Sequence, residues 1–259
     1  MSTDSNITKA AERLYNSAQT AVPVTPVRDL IGDQNIDAAY AVQEINVSNR
    51  IKSGDTVTGK KIGLTSFAVQ AQLGVDQPDY GVLFDTMEVR NGTLSFSELM
   101  QPKAETEIAF MMAKDLDGDI NISDLIEAID YAVVAIEIVG SRVADWNIKI
   151  ADTIADNASA SHYILGAERK DIEELDLVKC KMTLTKNGEI SSEGTGAACM
   201  DNPLNAALWL AQKMAKQGNP LRQGEVLLSG ALGPMVAIEK GDKFVASIEG
   251  LGSVSLDIT

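Results

Sequence analysis

Beyond residue 80 the apolar residues of this chain fall into runs too short for ordinary helices. Segments 81–84, 105–112, 133–139, 182–186, 225–229, 244–248 and 254–258 each hold four to eight residues rich in Val, Ile, Leu or Phe. Runs of that length, separated by Gly, Asn, Asp and Pro, read as β-strands. The stretch before them reads differently. Positions 7–18 and 36–51 carry apolar residues at helical spacing, and Asn35 stands where it can cap the second run. Val57, Ile62 and Leu64 shorten the period to that of a strand, and Thr65-Ser66 can cap a short helix through Leu73. Two further helices are expected, at 124–131 after Ser123 and at 202–217, where Pro203 opens the first turn and Gly218 follows the end. We therefore expect an α+β fold: a mainly helical part over 1–80, and one compact, mixed β body over 81–259.

Charge narrows what such a chain can bind. Among 259 residues, 37 Asp and Glu against 22 Lys and Arg leave a net charge of −15. A nucleic-acid binder needs a basic face to neutralise phosphates, and a polybasic membrane anchor needs the same. No apolar run approaches the ~20 residues needed to span a bilayer, and the start lacks the basic and apolar regions of a signal peptide. Two cysteines, Cys180 and Cys199, suit a reducing compartment, so a cytoplasmic protein is expected. The chain has one histidine, His162. That removes most His-based triads and zinc sites, leaving carboxylates, Lys, Tyr or water to move protons. A metal, if used, should be held by oxygen.

Two glycine-rich segments approach nucleotide-binding motifs and fail. Gly54-Asp-Thr-Val-Thr-Gly59-Lys60-Lys61 lacks the Ser or Thr that a phosphate loop places after its Lys, and follows a helix-like run. Gly194-Thr-Gly196-Ala-Ala-Cys199 lacks a third glycine and does not lead directly into a helix.

The carboxylates are more informative. Glu105 and Glu107 open the run 108–112, and residues two apart on a strand face one side. They read either as a solvated strand end or as a pair that wants a cation. Glu137 sits inside Ala132-Val-Val-Ala-Ile-Glu137-Ile-Val139, where an unpaired carboxylate is costly to bury. Its partner could be Arg142 or another nearby cation. Alternatively, Glu105, Glu107 and Glu137 meet as three oxygen ligands of Mg²⁺ or Mn²⁺. Of the adjacent Lys60 and Lys61, a strand turns one inward and the other to solvent. Asp79, in Pro78-Asp79-Tyr80-Gly81, has the residue chemistry of a turn. The small polar segment 152–161 reads as a loop that could bind a ligand.

Taken in order, several segments resemble the 2-keto-4-pentenoate hydratase group of the fumarylacetoacetate hydrolase superfamily. They are Gly59-Lys-Lys-Ile-Gly-Leu-Thr-Ser66, Leu73-Gly-Val-Asp-Gln-Pro-Asp-Tyr-Gly81, Lys103-Ala-Glu-Thr-Glu-Ile-Ala-Phe110, Asp145-Trp146, Ala155-Asp-Asn-Ala-Ser159, Leu228-Ser-Gly230 and Gly250-Leu-Gly-Ser-Val254. The resemblance implies a mixed β-roll or β-sandwich body preceded by helices, with a divalent metal held by Glu105, Glu107 and Glu137. It implies that Lys61 holds a substrate carboxylate or enolate oxygen, that Asp79 transfers protons, and that Ser159 contacts substrate. Gly140 departs from the pattern, since relatives often carry Asp before Ser-Arg; so does Met200-Asp201-Asn202, where a glycine-containing turn is more usual.

The activity so implied is metal-dependent addition of water to a 2-hydroxy-2,4-dienoate, giving a 4-hydroxy-2-oxo acid in aromatic-ring catabolism. The runner-up is a 4-oxalocrotonate-type decarboxylase, which shares the ligand set but should offer a cation to a second, distal carboxylate. A third reading is a non-catalytic scaffold, against which three intact carboxylates argue. The expected partners are the small-molecule substrate, further copies of the chain in a homo-oligomer, and other enzymes of the same pathway.

Overall fold

In the computed structural model, which describes residues 3–67, 70–71 and 75–259, the chain opens with helices α1 (Thr3–Thr20), α2 (Arg28–Ile31) and α3 (Ile36–Lys52). Asn35 caps α3, its side chain accepting from Ala38 N at 3.2 Å. The expected short helix through Leu73 runs into residues outside those described. Strands β1 (Val57–Gly63), β2 (Asp79–Phe84), β3 (Thr93–Leu94) and β4 (Lys103–Met112) follow, then α4 (Ile122–Ala128), β5 (Ile129–Val139), α5 (Ile150–Ala155) and β6 (Ala160–Leu165). Next come β7 (Lys181–Lys186), β8 (Glu189–Thr195), α6 (Pro203–Lys216), β9 (Val226–Ala231), β10 (Val236–Ala237), β11 (Lys243–Ile248) and β12 (Gly252–Ile258).

Two local expectations change. The helix expected over 124–131 begins at Ile122, capped by Asn121, whose side chain accepts from Ser123 N and Asp124 N. It ends at Ala128 because Ile129, Asp130 and Tyr131 already belong to β5, where β-branched neighbours favour the extended form. Segment 152–161 is not one loop: it comprises most of α5, a short turn at 157–159 and the start of β6.

The strands make two sheets. The first has the order β2-β1-β9-β4-β5-β6, with β10 pairing the start of β4; β1 and β9 run parallel and its other pairings are antiparallel. The second has the order β3-β12-β11-β7-β8. Phe110, Ile136 and Ile138 of the first sheet share one core with Leu184, Phe244 and Leu256 of the second. Burial of those side chains supplies the main driving force for stacking the layers. The opposite face of the first sheet carries Val82, Phe84, Ala109, Val133 and Leu228. Helices α1, α2, α3 and α5 form a separate small core with Leu14, Val27, Val42, Ile150 and Ile154. β1, although it lies within the first eighty residues, sits inside the first sheet between β2 and β9.

Period-two alternation decides what each face of the first sheet carries. On β4, Ile108, Phe110 and Met112 point to the inter-sheet core; Glu105 and Glu107 lie on the other face, with Ala109. On β5, Ile136 and Ile138 point to the core, and Glu137 shares its face with Val133 and Ala135.

Candidate active site

Register brings the carboxylates together. β4 and β5 pair antiparallel with Glu105 directly opposite Glu137, and Glu107 lies two residues further along β4, opposite Ala135. One carboxylate oxygen from each of the three lies within 4.8 Å of the others. Glu107 and Glu137 are buried at 1% and 0% exposure, while Glu105 is half-buried.

A cation stands beside them. Lys61 on β1 is buried, with Nζ 3.1 Å from Glu137 Oε1, in an ion pair that lacks hydrogen-bond geometry, and it donates to Ala158 O at 3.0 Å. The expectation that its neighbour faces solvent is corrected: Lys60 is buried as well. It lies on the inter-sheet face with Ile62, where Nζ meets Glu225 Oε1 at 3.2 Å. A side chain that long can place its ammonium on a carboxylate at the strand end and keep its stem in the core.

Asp79 opens β2 and is 1% exposed, so it belongs to a strand in the site and not to a surface turn. Its Oδ2 accepts from Thr153 Oγ1 of α5 at 3.2 Å, and its Oδ1 has no hydrogen-bond partner among the described residues. Asp79 and Lys61 close over Gly63. A Cβ at position 63 would lie 2.3 Å from Asp79 Oδ1 and 3.5 Å from Lys61 Nζ, so any side chain there would displace the acid. Ser159, 4% exposed, has an Oγ with no hydrogen-bond partner among the described residues and adjoins Ala158, whose carbonyl holds Lys61. Of the six residues expected in the site, β1, β4 and β5 thus gather four around one point; Asp79 lies beside Lys61, and Ser159 follows the residue that holds it.

Charges are unbalanced in this pocket. Burial, followed by the charge of Glu137, pushes the Glu105 carboxyl up to about 7. Burial and the charges of Glu137 and Glu105 hold Glu107 well above the usual carboxylate range. Asp79 is raised too, mainly by burial, with Lys61 and Thr153 opposing. For Lys61 burial works against the ammonium, but Glu137, Glu105, Asp79 and Glu107 together outweigh it and hold the group above its ordinary value.

Hydrogen bonding is unbalanced as well. Glu107 Oε2 accepts from Gly230 N at 2.8 Å, but among the described residues its Oε1 and both oxygens of Glu137 find no donor. Buried carboxylate oxygens without donors are rare, because each has lost its water without replacement. Three convergent carboxylates with orphaned oxygens fit a hard divalent cation, which oxygen ligands satisfy at once. The alternative partner for Glu137, Arg142, is engaged elsewhere: its side chain pairs with Asp156 at 2.5 Å. His162 lies on β6 with Nδ1 2.9 Å from Ser161 Oγ, and burial lowers its pKa. A cavity of about 460 Å³ is lined by none of the six residues, although it reaches Asn157 and Ala160 on either side of Ser159; Tyr15, Asn46, Arg50, Phe84 and Arg142 also line it.

A stacked pair of sheets carrying three convergent carboxylates beside a buried lysine makes a candidate acidic metal site. Residues 82–259 match the family described as fumarylacetoacetate (FAA) hydrolase C-terminal. The chain is 52% identical over 248 residues to a 2-keto-4-pentenoate hydratase of Paraburkholderia xenovorans, covering 95% of this chain and 92% of that one. It is 40% identical to a 2-hydroxyhexa-2,4-dienoate hydratase of Comamonas testosteroni, over 100% of both chains. Among solved structures, 4-oxalocrotonate decarboxylase from Pseudomonas putida G7, complexed with magnesium and adipate, superposes with a TM-score of 0.93 at 31% identity, covering 100% of this chain and 99% of that one. The chain belongs to the fumarylacetoacetate hydrolase family, within its 2-keto-4-pentenoate hydratase group.

Sequence reasoning placed Thr153 and Asn157 in a segment that could bind a ligand, and Gly230 in a family-like stretch, but gave none of them a role. Thr153 holds Asp79, Asn157 holds β2 and the amide of Gly230 holds Glu107. Asp152, in the same segment, is the clearest case. It is fully buried and accepts from Val27 N, Arg28 N, the Arg28 guanidinium and Lys149 N, tying α5 to the helices before β1.

Proposed function

We propose that this protein is a hydro-lyase that adds water to a 2-hydroxy-2,4-dienoate to give a 4-hydroxy-2-oxo acid. The observation that carries the reading is the convergent Glu105–Glu107–Glu137 group beside Lys61, in a chain about half identical to relatives named as hydratases of this type. Glu105, Glu107 and Glu137 would hold Mg²⁺ or Mn²⁺, which supplies Lewis acidity toward the carboxylate and 2-oxygen of the substrate. Lys61 fits the task of binding an oxygen that gains negative charge, because its four acidic neighbours keep it protonated. Asp79, whose burial favours the neutral acid, donates a proton to the terminal carbon of the dienol and regains one from the 2-hydroxyl, so the dienol becomes the conjugated 2-oxo acid with no net proton change. Water then adds at C4 of the resulting conjugated 2-oxo acid and C3 takes up a proton. Asp79 is held for this by Thr153. Ser159 offers its hydroxyl to the substrate. The site acts in the cytoplasm, in a homo-oligomer, on a small anion drawn in by local cations against the −15 net charge.

A second reading, decarboxylation of a 4-oxalocrotonate-type dicarboxylate, rests on the near-identical fold of the decarboxylase from P. putida G7. Both reactions are followed with one preparation, stripped by chelator and reloaded with Mg²⁺ or Mn²⁺. Hydration predicts loss of the dienoate's ultraviolet absorbance with formation of a 4-hydroxy-2-oxo acid. Release of CO₂ from the dicarboxylate, without hydration of the monocarboxylate, would replace it with the second reading.

A further inference from the structure

The turn between α5 and β6 holds three successive residues in the left-handed region: Asn157 (φ 55°), Ala158 (φ 49°) and Ser159 (φ 56°). None is glycine, and side-chain-bearing residues resist this conformation, so the surroundings must impose it. Arg142 spans the turn. Its Nε donates to Asp156 Oδ1 at 2.5 Å, Nη2 to Asp156 O at 2.6 Å and Nη1 to Ala160 O at 3.1 Å. Its backbone N donates to Asp156 Oδ2 at 2.9 Å. One planar guanidinium therefore ties the carbonyl before the turn to the carbonyl after it, a geometry a lysine cannot reproduce.

From the other side, Asn157 grips the outer edge of β2. Its Oδ1 accepts from Val82 N at 2.8 Å and its Nδ2 donates to Val82 O at 2.9 Å. This approach needs a bare backbone opposite, since a Cβ on Gly81 would lie 2.3 Å from Asn157 O. Gly140 N closes the frame on Ser159 O at 2.8 Å. What the clamped turn delivers is Ala158 O, which holds Lys61, and Ser159 Oγ, buried and without a hydrogen-bond partner among the described residues.

We propose that Arg142, with Asp156 and Asn157, is a positioning group that holds the strained 157–159 turn so that Ser159 and Lys61 meet the substrate. It rests on the reading of Ser159 and Lys61 as substrate-binding. The three carboxylates stand on β4 and β5, and the turn reaches them through Lys61 beside Glu137 and through Gly140 after β5, so the clamp acts chiefly on the substrate side of the site.

The test compares Arg142→Ala, Ser159→Ala and the double variant with the wild type, using kcat and KM for hydration with Mn²⁺, Mn²⁺ affinity by calorimetry, and amide exchange over 157–160. Arg142→Ala should lower kcat/KM by about 100-fold, the scale of a misplaced reacting geometry. Mn²⁺ affinity should stay within about twofold, while exchange protection is lost at the turn and kept on β4 and β5. Because Arg142 and Ser159 act as one unit, the double variant should be no more than about threefold slower than the slower single variant. Losses that multiply, a kcat/KM within threefold of wild type, or Mn²⁺ binding that falls in step with activity would each overturn the clamp. If Arg142→Ala fails to fold, Arg142→Lys keeps the charge and stem and should still lose at least tenfold. A wild type inactive on the dienoate refutes the proposed reaction alone. The clamp is then scored by oxalate binding to the Mn²⁺-loaded protein: at least tenfold weaker in Arg142→Lys supports it, and unchanged binding overturns it.

Discussion

Glu107→Gln separates a site built for a cation from one stabilised by its own charges. Each like-charge pair held within 4.8 Å repels by about 3.5 kcal/mol at an effective dielectric constant near 20. Glu107 takes part in two such pairs, with Glu137 and Glu105, and Lys61 ranks behind both among the charges acting on it. A glutamine keeps the shape and can still accept from Gly230 N. Much of the repulsion is already relieved in the metal-free protein, because Glu107 holds its proton well above the usual range. Removing the charge should therefore stabilise the metal-free protein at pH 8 by about 1–3 kcal/mol, or about 2–6 °C in Tm for a chain of this size. The sign follows from linkage. The folded state keeps protons on Glu105 and Glu107 that the unfolded chain releases near 4.5, so wild-type stability falls as pH rises from there toward 7 and beyond. The variant should show a shallower fall. Divalent cation should reverse the ranking: at 100 times its dissociation constant it stabilises the wild type by about 2.7 kcal/mol, and the variant far less. Thermal melts with chelator, Mg²⁺ or Mn²⁺, at pH 6 and 8, read both effects. A metal-free variant that melts below the wild type at pH 8, or one that gains as much from metal as the wild type, would refute the reasoning.

Three more outcomes are expected. Mn²⁺ affinity should weaken as pH falls below about 7, because the cation must displace the proton on Glu105, and calorimetry in buffers of different ionisation enthalpy should show proton release; a flat profile from pH 8 to 6 would contradict it. Gly63→Ala should cut kcat/KM by at least about 100-fold, since its Cβ would lie 2.3 Å from Asp79 Oδ1, while leaving Mn²⁺ affinity near wild type. Lys60→Met should change stability without changing kcat, because Lys60 faces the inter-sheet core and pairs with Glu225; a loss of kcat above about fivefold would place it in the site after all.

The residues that could be read from sequence are those whose chemistry conflicts with their surroundings. Glu137 in an unbroken apolar run marks itself, and Glu105 and Glu107 show by their spacing that they share a face. β8 could not be found in this way: Glu189–Thr195 is polar and largely exposed, and its strand form comes from pairing with β7. The Lys60–Lys61 pair could be split into two faces, but not into two buried partners. The carboxylate that receives Lys60 is 165 residues away. Arg142 could be read only as a candidate partner of Glu137, and Thr153 and Asn157 only as members of a polar segment; their actual contacts exist only where α5, β2 and the 157–159 turn meet.

Sequence alone determines the apolar strand-forming runs, the shared face of Glu105 and Glu107 and the oxygen-only chemistry left by a single histidine, because side-chain alternation and residue chemistry are local properties. Tertiary structure decides which acids meet and what opposes them. The register that sets Glu105 against Glu137, the placement of β1 that brings Lys61 to them, and the clamp that bends 157–159 all depend on pairings between distant segments. Such pairings are chosen by the burial of whole faces, which no single stretch of the chain contains.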